Sequence, residues 1–157
     1  RGGVAVAVEL NALSADHLEA STDEEIMLLA KSNVVGVVLP GASLGLGVNF
    51  APARRLLDAG ASLAIASDWN PGSAPMGNLL AVAGILGIYE KLTMAETLAA
   101  ITCRAATALG TTSIGSLKPG MQGDFITFPC SDYREILFNQ GSLLPDTVWK
   151  KGKRVVG

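Results

Sequence analysis

The sequence predicts the α/β class: a body of parallel strand and helix units followed by a small all-β element. Three observations lead there. Short, wholly apolar runs recur between segments with helical spacing and capping signals, the pattern of strands buried on both faces by crossover helices. Apolar residues make up 49% of the 157 and charged ones only 17%, an apolar balance expected where most elements are covered on several sides. The last third changes character, to turn-rich sequence with weak alternation.

In order along the chain, Gly2 to Leu10 is rich in Val and Ala and reads as the end of a helix, leading into a short strand candidate from Ala12 to His17. Thr22 and Glu25 have capping-box spacing, so each side chain can satisfy a free backbone N–H at a helix start, and Ile26, Leu29 and Ala30 supply the apolar stripe. Val34 to Leu39 is a continuous apolar run ended by Pro40, a doubly buried strand. The glycine-rich stretch Gly41 to Gly47 is expected to be a loop. A second cycle begins at Pro52, suited to the first turn of a helix that carries Leu56 and Leu57 and stops at Gly60. Ser62 to Ser67 is the next buried strand, and Asp68 to Ser73 is the loop beyond its C-terminal end. Helices are predicted over Gly77 to Lys91 and over Ala95 to Leu109, the second opened by a capping box at Thr93 and Glu96 and closed by Gly110. Gly115 to Gly123 is turn-rich, Asp124 to Phe128 alternates as a strand, and Val148 to Val156 reads as a hairpin around Lys151 and Gly152.

Composition narrows the function classes. A net charge of −2 gives no concentrated basic face for nucleic acid, and Lys150, Lys151, Lys153 and Arg154 read as the polar tip of the hairpin. The most apolar stretch, Leu79 to Tyr89, is too short to span a bilayer and is interrupted by Gly84 and Gly87. Cys103 and Cys130 are too few and too far apart for a disulfide framework or a zinc knuckle. They are expected to be small buried apolar residues, which fits a cytoplasmic location. The first residue is Arg1 rather than methionine, which predicts a processed or truncated start.

In parallel α/β architectures the working residues stand at the C-terminal ends of strands, where loops converge on a shared cavity. His17, the single histidine, closes the first strand candidate, and Asp68 closes the strand Ser62 to Ser67. A lone histidine or strand-end aspartate is more often structural. The turn after Asp68 adds polar capacity: Asn70 offers donor and acceptor, Gly72 lets backbone approach a ligand, Ser73 adds a hydroxyl and Pro71 stiffens the turn. Such a turn can hold a planar polar substrate above a metal bound by Asp68. The alternative is an Asx turn beginning the next helix.

The run Ser-Asp-Trp-Asn-Pro-Gly-Ser-Ala-Pro from Ser67 to Pro75, followed by an apolar helix and the segment Leu92 to Ala106, resembles the end of the barrel of the imidazolonepropionase family. Leu13 to Leu18 resembles that family's sixth barrel strand. Gly115 to Ile126 resembles the segment by which amidohydrolases in general return to their small β domain. The likeness covers nearly the whole chain. It implies the C-terminal part of a (β/α)8 TIM-type barrel over residues 1–112 and the returning strands of a small β-sandwich domain over 113–157. It further implies that Asp68 ligates one divalent metal, zinc or iron, and helps move the proton of the attacking water. His17 is implied as the catalytic histidine that assists that water and polarises the scissile carbonyl. Asn70, Gly72 and Ser73 are implied to hold the substrate or product of hydrolytic opening of 4-imidazolone-5-propanoate to N-formimidoyl-L-glutamate. The family's metal site also takes a His-x-His pair and a further histidine from earlier strands, and this sequence has no second histidine. The chain is therefore expected to be inactive alone and to contact a missing N-terminal half or itself. Two other readings stay open: another cyclic-amide hydrolase or aminohydrolase, and a folded, non-catalytic structural module.

Overall fold

The computed structural model describes residues 2–157. Its first half is built on a parallel sheet of three strands: β1 (Ser14–Asp16), β2 (Val35–Val38) and β3 (Leu63–Ile65). Their order in space is their order in sequence, β1-β2-β3, with Ala15 beside Gly36 and Gly36 beside Leu63. An unreversed order is that of a barrel wall, and it also occurs within one half of a doubly wound sheet.

Each crossover is helical, as parallel pairing requires. Helix α1 (Gly3–Glu9) precedes β1, and α2 (Asp23–Ala30) joins β1 to β2. The capping box expected at its start is present: Glu25 N–H donates to Thr22 Oγ1 (3.3 Å) and Thr22 N–H to Glu25 Oε2 (2.9 Å). Two helices follow β2: α3 (Pro40–Leu46) and α4 (Ala53–Asp58). After β3 come α5 (Leu79–Tyr89), α6 (Met94–Ile101) and α7 (Cys103–Ala108). The helix predicted over Ala95 to Leu109 is thus broken at Thr102, whose φ of −127° and ψ of −97° lie outside helical values.

The strands β2 and β3 are buried on both faces, as their apolar runs predict. One face, with Val38, Leu63 and Ile65, packs against Ile26 and Leu29 of α2, Leu56 of α4 and Leu86 of α5. The other, with Val35, Val37 and Ala64, meets Ala42 of α3 and Ala105 and Ala108 of α7. On α7, Arg104 Nη1 is buried without a hydrogen-bond partner among the described residues.

The second sheet is antiparallel, in the order β4 (Phe125–Thr127), β5 (Thr147–Lys150), β6 (Lys153–Val156). Phe125 and Trp149 stack across β4 and β5 with ring centroids 5.3 Å apart. Lys151 (φ 50°) and Gly152 (φ 73°) form the hairpin turn, and both angles being positive matches the turn type that fits strand twist. Between β4 and β5 lies a short helix, α8 (Arg134–Phe138), that periodicity does not single out. It is only five residues long, and it is held by tertiary contact: the Leu137 carbonyl lies so close to Gly84 of α5 that a Cβ there would sit 2.9 Å from it.

Two further expectations fail. Gly41 to Gly47 is the helix α3 and not a loop. Pro40 at its first turn sets φ and gives up an N–H that has no helical partner, while Gly47 (φ 65°) ends it in the left-handed conformation. The glycines inside it serve close packing. The cysteines also differ from expectation: Cys103 is exposed and Cys130 half-buried. Cys103 lies on the first turn of α7, where Ala105, Ala106 and Ala108 turn to the protein instead. Among the described residues, no helix is long and apolar enough to cross a membrane.

Candidate active site

His17 follows directly on β1 and Asp68 stands three residues past the end of β3, at the same rim of the sheet. With β2 between them, their strand ends stand roughly 10 Å apart by the usual interstrand spacing. Both are held in left-handed backbone: His17 has φ 75°, Leu18 after it φ 72°, and Asp68 φ 51°. For residues with a Cβ this conformation is unfavourable, and it persists only where the surroundings impose it. At β1 the imposing group is Leu18, which is buried and reaches over Gly36 of β2. A Cβ at Gly36 would lie 2.9 Å from Leu18 Cδ1. The buried leucine fixes the turn, and the turn throws His17 outward, with its side chain 55% exposed.

Asn70 organises the other strand end. Its Oδ1 accepts from the backbone N–H groups of Gly72 and Ser73, both at 2.9 Å. Its Nδ2 donates to the Asp68 carbonyl (2.6 Å), to Asp68 Oδ2 (3.2 Å) and towards Ser73 Oγ (3.3 Å). Asn70 N–H donates to the Ala74 carbonyl and closes the turn. The Asx turn anticipated as the alternative is therefore present, centred on Asn70. It does not begin the next helix: α5 starts five residues beyond Ala74, capped by Asn78 Oδ1 accepting from Ala81 N–H (3.1 Å). Asp68, Asn70, Gly72 and Ser73 thus form one cluster.

A second cluster surrounds His17. Glu19 Oε1 lies 3.5 Å from His17 Nδ1 and accepts a hydrogen bond from Ser43 Oγ at 3.2 Å. His17 and Glu19 border a recess of about 350 Å³ together with Asp16, Ser21 and Glu25.

Helix α3 ties the clusters together. Ser43, fully buried, meets Glu19 on one side. Gly41 and Gly45, one turn apart, lie against the Asp68 loop on the other. A Cβ on Gly41 would be 2.7 Å from the Ser67 carbonyl oxygen, and one on Gly45 only 1.7 Å from that of Ser73. Only glycine admits such backbone approach. Sequence reasoning missed α3, Glu19 and Ser43. The available signals were a proline at the first helical turn and glycines four residues apart.

No group of three or more His, Cys, Asp or Glu side chains among the described residues converges to hold a metal ion. One carboxylate, Asp68, and one imidazole do not fill the three protein positions that a catalytic divalent ion takes. The residues of this chain do not fit a metal by themselves.

The amidohydrolase family model matches residues 2–155. The chain belongs to the amidohydrolase family. It is 44% identical over 154 residues to an imidazolonepropionase of Deinococcus deserti, covering 98% of this chain and 39% of that protein. It is 42% identical over 156 residues to an imidazolonepropionase of Geobacillus kaustophilus, covering 99% of this chain and 37% of the relative. The chain therefore spans less than two-fifths of the length of these curated relatives. Among solved structures it is similar to a zinc-bound adenosine deaminase from Xanthomonas campestris, with a TM-score of 0.83, 25% identity, and coverage of 98% of this chain and 43% of that one. This likeness agrees with the unreversed strand order: the architecture is part of an amidohydrolase barrel together with strands of a small β domain.

Proposed function

We propose that this chain is part of an imidazolonepropionase-type hydrolase, which opens the ring of 4-imidazolone-5-propanoate by adding water to its cyclic amide. The observation that carries the reading is the turn Asp68 to Ser73, knitted by Asn70 and pressed against α3 at the strand rim, in a chain 44% identical to such an enzyme. Asp68 is the one carboxylate ligand this chain offers to a divalent ion, zinc or iron, whose remaining ligands lie outside it. Such an ion, when bound, supplies an activated water. His17 would assist the attacking water from the end of β1, with β2 between it and the Asp68 strand end. Ser73 and the Gly72 backbone face the substrate, and Asn70 holds both in place. The division into a barrel portion, 1–112, and a small β portion, 113–157, belongs to the same proposal.

The chain works in contact with further barrel strands of the same kind of protein. Among the described residues, β1 and β3 each pair on one side only, and Arg104 Nη1 is buried and unpaired. Both features suit a packed neighbour.

The test joins this chain to the portion of the Deinococcus deserti relative that it does not match, then measures metal content and ring opening. Activity and bound metal in the joined protein but not in the chain alone, with activity lost in Asp68→Ala and His17→Ala, are the expected results. Metal-free, inactive protein in both forms refutes the reading and leaves a structural module. An aminohydrolase reading draws on the likeness to the adenosine deaminase, and a panel of cyclic amides and aminopurines separates the two.

A further inference from the structure

We propose that Glu19 is a positioning residue that holds the proton of neutral His17 on Nδ1, so that Nε2 is the free acceptor at the strand rim. The proposal rests on the hydrolase reading for its catalytic meaning, but its physical content does not. Glu19 Oε1 is 3.5 Å from Nδ1 and is itself fixed by the buried Ser43 hydroxyl at 3.2 Å. Ser43 sits on α3, which packs against the Asp68 loop, and its hydroxyl also lies 3.4 Å from the Leu39 carbonyl oxygen. Among the described residues, His17 Nε2 makes no hydrogen bond, and the imidazole is half exposed. A carboxylate beside one ring nitrogen attracts the proton there and leaves the lone pair on the other.

The geometry thereby separates two roles open to His17. A neutral histidine polarising a carbonyl must carry its proton on the nitrogen that faces the substrate. With the proton held on Nδ1 by the nearby Glu19 carboxylate, Nε2 instead accepts. In ring opening, an O–H bond of the attacking water breaks and its proton moves to Nε2. The oxygen becomes bonded to the ring carbonyl carbon, and the imidazolium so formed can return the proton to the departing nitrogen. This is the logic of a base oriented by a carboxylate.

Because the chain has one histidine, its imidazole 15N signals are read without assignment ambiguity. The experiment records them at a pH where the ring is neutral, in the wild-type chain, Glu19→Ala, Glu19→Asp and Ser43→Ala. The expected result is a mainly Nδ1–H ring in the wild type, a shift to mainly Nε2–H in Glu19→Ala, and intermediate positions in the other two. A wild-type ring that is mainly Nε2–H, or a tautomer indifferent to Glu19, overturns the proposal. In the joined protein, Glu19→Ala is expected to lower kcat at least about tenfold with little change in KM, and Glu19→Asp to recover part of it. An unchanged kcat overturns the positioning role. Were the tautomer to switch as expected while the wild-type joined protein fails to open the ring, the hydrolase reading would fall and the proton placement would stand.

Discussion

Replacing Gly45 by alanine probes the packing that holds the candidate site together. The new Cβ would lie 1.7 Å from the Ser73 carbonyl oxygen and 2.8 Å from its carbonyl carbon. Neither atom belongs to a flexible side chain, so α3 and the loop must separate by upwards of about 1 Å before van der Waals contact is restored. Overpacking of this kind costs about 1–3 kcal/mol, and the better helix propensity of alanine offsets up to about 1 kcal/mol of it. A backbone contact this close takes the upper part of that range, about 2–3 kcal/mol, so the net loss is about 1–2 kcal/mol, which for a chain of this size lowers Tm by roughly 2–8 °C. Gly3→Ala is the matched control, because it lies at the start of α1 with nothing within 4 Å of its would-be Cβ. Thermal unfolding followed by circular dichroism gives the stability, and backbone amide shifts of Asn70 to Ala74 show whether the loop moves. A Gly45→Ala chain as stable as wild type, with those amides unmoved, would refute the claim that α3 sets the loop.

Other predictions follow from the same geometry. Asp68 carries its carboxylate on left-handed backbone (φ 51°), so Asp68→Gly should be more stable than Asp68→Ala by about 1 kcal/mol, measured by urea unfolding, while both abolish activity in the joined protein. At Lys151 (φ 50°), Lys151→Asn should stabilise by about 0.5 kcal/mol, because asparagine tolerates the turn conformation and the backbone N–H that donates to Asp124 Oδ1 is retained; an unchanged or lower Tm counts against the turn assignment. Glu96 accepts from both terminal nitrogens of Arg54 at 3.0–3.2 Å and from Thr93 N–H at 2.8 Å, and the Arg54 guanidinium, with the Thr93 backbone next, lowers its carboxyl from 4.5 to about 2. A folded-state value below the unfolded one means that the stabilisation is full above about pH 4.5 and is lost as the pH falls towards 2. The pair is partly exposed, so Arg54→Met should remove no more than about 1 kcal/mol at pH 7 and flatten the acid limb of stability against pH. An acid limb identical to wild type would exclude the pair as its source.

Much of this molecule could be read without coordinates, and the parts that could share a cause. The apolar runs at Val34 to Leu39 and Ser62 to Ser67, and the capping boxes at Thr22 and Thr93, are local devices. Their physics is complete within a few residues, so spacing alone reveals them. The same holds for the Asn70 turn, whose hydrogen bonds all fall between Asp68 and Ala74. The exposure of Cys103 is not legible in the sequence, because a small apolar side chain says little about which face of a short helix it occupies. Thr102 breaks a helix that its sequence would continue, and Gly115 packs into that break, where a Cβ would lie 2.9 Å from the Thr102 carbonyl oxygen.

The sequence by itself determined the α/β class, the singular histidine, the strand-end aspartate and the polar turn beyond it, because residue type and short-range spacing suffice for each. Tertiary structure alone decided that Gly41 to Gly47 is a helix and that its glycines abut the Ser67 and Ser73 carbonyls. It also decided that Ser43 anchors Glu19 beside His17. The partners in those contacts lie 24 to 28 residues apart in the chain. No local preference encodes such distances: glycine in this stretch reads as a breaker until the backbone it must admit is in view.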